Sequence, residues 1–163
     1  MQPPFRFAEQ VDLFNMWTRK RGDRRMPSRT DLSPNDLRPW LGDIHLIEPI
    51  DGGRDFRYLV YGTEIARYYD VEMTRRLVSE WPEMMRDAAM RTYLRVVQDA
   101  CPYLVRQNEQ AQGRTHSNHR LVLPLSNDGK SVDQLITHLH MIPANEDDAG
   151  IFYHALPPGP PGG

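Results

Sequence analysis

The stretch "LITHLHMI", Leu135 to Ile142, sets His138 and His140 two residues apart. On an extended chain that spacing points both imidazoles to one face, as a pair of strand-borne metal ligands requires. Glu146 downstream would complete a small metal-dependent enzyme, but no spacing fixes it in place, and strand histidines facing solvent or a partner are the commoner case. His116 and His119 bracket Ser117-Asn118 in a polar stretch that reads as a surface loop able to hydrogen-bond a ligand. Cys101, the single cysteine, would be a nucleophile only with a histidine brought to it in space; a buried structural thiol is the ordinary alternative. No G-x-S-x-G elbow, phosphate-binding glycine loop or G-x-G-x-x-G turn is present, so acyl transfer, nucleotide hydrolysis and dinucleotide binding have no residues to perform them.

The scaffold for these groups is modest. A chain of 163 residues suits one domain with one core. Net charge −2 gives no general attraction to phosphates, and one cysteine excludes an internal disulfide framework and suits a reducing cytoplasm. No apolar run approaches the ~18 residues of a membrane span, so a cytoplasmic protein with no membrane partner is expected. Arg19 to Arg25 is the one basic run, with five basic residues in seven; it reads as a solvated helix end stopped at Gly22. Only Trp17 lies nearby to stack on a base, so no nucleic-acid partner is expected.

"FAEQVDLFNMW", Phe7 to Trp17, has the spacing of an amphipathic helix, whose aromatic face packs either on its own domain or on a second copy of the chain. "MPSRTDLSPNDL" follows, with Ser33 at a helix cap and Pro34 at the first helical position. "DIHLIEPI" and "DFRYLVYG" read as strands joined by the turn "DGG". "TEIARYYDVEM" predicts a short helix capped by Thr63, and residues 83 to 100 the longest helix, with Met84, Ala88, Tyr93 or Leu94, and Val97 inward. Three strands close the chain, at about 103–108, 119–125 and 132–141, and the tail "LPPGPPGG" cannot build regular structure. This order describes an α+β fold, one antiparallel sheet with its helices segregated to a face. Alternation sets Phe56, Tyr58 and Val60 on one side and Arg57, Leu59 and Tyr61 on the other. Both sides are mostly apolar, which implies cover from the domain's helices on one and from the first helix or a second subunit on the other.

Three stretches, "MPSRTDLSPNDLRPWLGDIHLIEPI", "FRYLVYGTEIARYYDVEM" and "LVLPLSNDGKSVDQLI", resemble a PAS domain, and more narrowly the short stand-alone bacterial PAS-like proteins, over about Trp17 to Met141. The resemblance implies a five-stranded antiparallel sheet, with helices enclosing a cavity on one face and an N-terminal flanking helix. It divides the chain into a flanking helix and basic segment (1–25), the PAS-like domain (26–142) and a largely disordered tail (143–163). It implies a non-enzymatic sensory or interaction module that binds a small molecule and signals through a homodimer or a protein partner. The cavity would be walled by Tyr58, Val60, Ile65, Tyr68, Tyr69, Met84 and Tyr93, with the tyrosine hydroxyls orienting a ligand. The dimer would form through Phe7, Val11, Phe14 and Trp17. Flavin photochemistry needs a reactive cysteine within a helix motif that Cys101, before Pro102, lacks; a haem needs a helix histidine, and none occurs between Thr63 and Ala100. Neither cofactor is expected.

Overall fold

The computed structural model describes residues 5–111, 113–143 and 152–157. Its first helix, α1 (Ala8–Arg21), turns Gln10, Leu13, Met16 and Trp17 inward and stops at Gly22, which takes φ +57°. The basic run closes this end of the helix. The guanidiniums of Arg21 and Arg24 donate to the carbonyls of Lys20, Arg21, Gly22 and Arg24, Arg24 meets Asp31 at 2.7 Å, and Lys20 meets Asp36 at 3.2 Å. Cations at a helix C-terminus satisfy its orphan carbonyls, so this charge has a structural role.

Two capped turns follow one another in the connector, the first with the Ser28 amide and hydroxyl donating to Asp31, the second reciprocal between Ser33 and Asp36. Ser28 with Asp31 starts the single turn Arg29–Asp31, and Ser33 with Asp36 starts the one-turn helix α2 (Pro34–Leu37). Then come β1 (Ile44–Ile50), a tight Asp51-Gly52-Gly53 turn with all three φ positive, and β2 (Asp55–Val60). Helix α3 (Thr63–Tyr69) begins at Gly62 without any side-chain cap; Thr63 is its first residue, not its cap. The reason is space, because a Cβ on Gly62 would sit 2.5 Å from the carbonyl oxygen of Gly42.

Helix α4 (Glu83–Asp99) buries Met85, Ala88, Ala89, Thr92, Tyr93 and Val96 and ends at Ala100 in the left-handed conformation. Ala88 and Tyr93 are buried as expected, whereas Met85 and Val96 take the inward places expected of their neighbours Met84 and Val97. The doubled apolar positions Met84-Met85, Tyr93-Leu94 and Val96-Val97 allow either phase in sequence, and the contact of Tyr93 with Phe56 selects one.

The remaining strands are β3 (Tyr103–Ala111), β4 (Arg114–Leu125), β5 (Gln134–Ile142) and β6 (Phe152–Ala155). All pairings are antiparallel, in the order β2-β1-β5-β4-β3-β6. Two corrections follow. A sixth strand lies inside the tail that was expected to be largely disordered, with Leu156 buried behind it; residues 158–163 fall outside the described residues. His116, Ser117, Asn118 and His119 are buried strand residues rather than a surface loop. Their polarity disguised a strand that is covered on both faces. Helices α3 and α4 cover one face and α1 the other, while the segment Arg75 to Leu77 pairs along the outer edge of β2.

Candidate functional site

Under α3 and α4 the sheet encloses a cavity of about 20 Å³, room for a single water. Of the residues expected to wall it, Tyr58, Ile65, Tyr69 and Tyr93 do so. Val60, Tyr68 and Met84 do not, being 46%, 43% and 60% exposed. A bulge opposite Leu46 and Ile47 reverses the alternation of β2, turning Val60 out and bringing Tyr61 in. Tyr68 and Met84 each lose the inward position to the next residue, Tyr69 and Met85.

The sequence reading missed His45, Tyr61, Trp81 and Arg120, each of which lines the cavity. Trp81 Nε1 donates to the Tyr58 hydroxyl at 2.9 Å, and the amide of Gly62 donates to His45 Nδ1 at 3.0 Å. The His45 ring stacks on Tyr61 with centroids 4.1 Å apart. Arg120 donates to the Tyr93 hydroxyl at 3.2 Å and lies over that ring. Burial, then the charge of Arg120 and of His138, pushes the His45 pKa well below its usual value, and burial first of all raises that of Tyr58. Both are neutral at pH 7, so the interior is an aromatic box with one cation in its wall.

A second pocket of about 230 Å³ lies outside the first, with Val71, Met73 and Pro82 in its lining and the Arg76–Glu80 ion pair among its charged residues. Tyr69, Trp81 and Met85 line both spaces and form the partition between them.

His138 and His140 lie on the opposite face of the sheet, beneath α1. Gln10 Nε2 is 3.1 Å from His138 Nδ1 and donates to the carbonyl of His119 at 3.0 Å. His140 pairs with Glu9 and stacks under Phe7, centroids 3.5 Å apart, while His119 sits edge-on to Phe7 and Phe152. Burial, above all, drives the His138 pKa down to about 4. Among the described residues no three His, Cys, Asp or Glu side chains are grouped to hold a metal, and Glu146 lies outside them. Cys101 is half-buried at the end of α4, away from the cavity, and burial raises its thiol pKa.

Of the four residues expected to form a dimer, Trp17 is fully buried and donates to the carbonyl of Pro124 at 2.9 Å, leaving it no surface to offer a second copy. Phe7, Val11 and Phe14 are partly exposed, and Phe14 packs beside Phe5 at 5.6 Å. Among the described residues no helix is long and apolar enough to cross a membrane.

A family model described as "PAS domain" matches residues 6–140. No curated protein matches the sequence. Among solved structures, a light-oxygen-voltage domain studied with a flavin analogue superposes with TM-score 0.52 at 11% identity, over 68% of this chain and 84% of that one. The PAS domain of BvgS from Bordetella pertussis gives 0.48 at 16% identity, over 61% and 76%. At such identities the likeness is one of fold.

Proposed function

The chain belongs to the PAS domain family, and on that premise we propose that it is a non-enzymatic sensory module of the cytoplasm. It holds a small molecule against the helix-covered face of its sheet and passes occupancy through α1 to a second copy or a protein partner. One observation carries this reading. Arg120 of β4 and Leu139 of β5, paired in register, line the cavity, and their chain neighbours His119, His138 and His140 hold α1 on the far side. A ligand that shifts Arg120 or Leu139 moves the seat of α1 through the same two strands. Residues 1–25 then form the output segment, 26–142 the sensing domain and 143–163 the tail. Phe7, Val11 and Phe14 are the surface we assign to pairing.

Native mass spectrometry of the untagged protein against its denatured mass tests this. A dimer carrying added mass supports the reading; a monomer of bare chain mass that α1 substitutions leave unchanged refutes it.

A further inference from the structure

Beyond the partition lies the outer pocket of about 230 Å³. Its floor is made of core residues, since Tyr69, Met73, Trp81 and Met85 are all buried, and Val71 and Pro82 complete the apolar wall. Met73 and Met85 are unbranched thioethers, which adapt to the outline of an apolar occupant. Two charged side chains, Arg76 and Glu80, stand at the exposed rim.

The hydrogen-bonding groups of these two are unequally used. The Leu77 amide, above all, holds the Glu80 carboxyl below its usual pKa. Each Glu80 oxygen already has a donor, that amide at 2.6 Å and Arg76 Nε at 3.2 Å. Asp55, the neighbouring carboxylate, accepts from the amides of Phe56 and Ser79. A guanidinium carries five N–H donors. Arg76 commits its Nε to Glu80, and its two terminal nitrogens donate to nothing among the described residues.

We propose that the outer pocket is a binding site for an apolar monocarboxylate, with its body among the methionines and aromatic rings and its carboxylate on the outer edge of Arg76. The rim decides the sign of the headgroup. A planar guanidinium edge matches a carboxylate through two parallel hydrogen bonds, whereas an ammonium would meet Arg76 and find the Glu80 oxygens taken. Volume sets the size. A cavity near 150 Å³ takes up benzene, so 230 Å³ suits a body of about nine carbons. The site lies outside the cavity on which the sensory reading rests, and it stands or falls apart from that reading.

The test is calorimetric titration of the full chain with octanoate, octan-1-ol and octylammonium, which share a chain and differ in headgroup. Octanoate should bind with a Kd of about 1 mM or tighter. Arg76→Gln, at an exposed position, should weaken octanoate about fivefold, leave octan-1-ol unchanged and tighten octylammonium. Glu80→Gln keeps an acceptor for the Leu77 amide and should tighten octanoate, because Arg76 then has no competing carboxylate. Val71→Phe should weaken all three by filling the pocket. Absence of octanoate binding, an equal response of the three headgroups to Arg76→Gln, or unchanged affinities in Val71→Phe overturns the inference. The native mass spectrum decides the sensory reading separately.

Discussion

Tyr58 shows how much one side chain decides. Its hydroxyl accepts the indole N–H of Trp81, which joins the sheet to the start of α4 and belongs to the partition of the cavity. Tyr58→Phe should leave a buried N–H unpaired and lower stability by about 1–3 kcal/mol in urea unfolding, with a red shift of Trp81 emission. A stability equal to wild type would mean that the indole finds another acceptor. The buried histidines set the response to acid. His138 has its pKa lowered to about 4, and His45 is shifted in the same direction. The unfolded chain therefore takes up these protons near pH 6.5 while the folded chain refuses them. Stability is full above about pH 6.5 and falls as the pH drops below it, by on the order of 3 kcal/mol by pH 4 for His138 alone. His138→Gln should flatten that slope in unfolding measured at pH 7, 5.5 and 4.5, and an unchanged slope would remove His138 from the account.

At the scale of elements, α1 and α3 are held by different physics. α1 is held by burial. Trp17 is enclosed and hydrogen-bonded to Pro124 of β4, so Trp17→Ala should cost about 3–5 kcal/mol. It should also free the helix, read as loss of amide protection across residues 8–21 ahead of the sheet. α3 is held by close backbone approach at Gly62. Its φ of −60° suits any residue, so the whole effect of Gly62→Ala is the clash of the new Cβ with the carbonyl oxygens of Gly42 and Ile44. A loss of about 1–3 kcal/mol in thermal unfolding is expected, with His45 losing the amide donor that fixes its ring. α4 shows where sequence periodicity stops being informative. Its paired apolar residues lie about 100° apart on a helix, so sequence alone does not choose within each pair, and the ring of Tyr93 is seated inward against Phe56 and Arg120.

At the scale of the whole molecule, the proposed pairing predicts that Val11→Asp with Phe14→Asp halves the mass in light scattering while the unfolding midpoint stays within about 1 kcal/mol of wild type. An unchanged mass would move the interface elsewhere. The class of the fold was readable from residue order alone. Extended apolar stretches, turn residues such as Asp51-Gly52-Gly53 and the capping residues Ser33 and Pro34 act over a few neighbours, and local sequence carries local physics. The family was readable for the same reason, in stretches whose order and turns are set by neighbouring residues. The wall of the cavity was legible only in part, through Tyr58, Ile65, Tyr69 and Tyr93. Whether Val60 or Tyr61 faces inward depends on a bulge set by β1, and whether a polar run such as His116 to His119 is loop or buried strand depends on what lies above and below it. His138 and His140 show the same limit. The spacing put both on one face, and only packing decided that the face belongs to α1 rather than to a metal or to solvent. Short-range preferences are written in the chain itself, whereas the identity of a side chain's neighbours is a property of segments about a hundred residues apart, and those meet only in the folded protein.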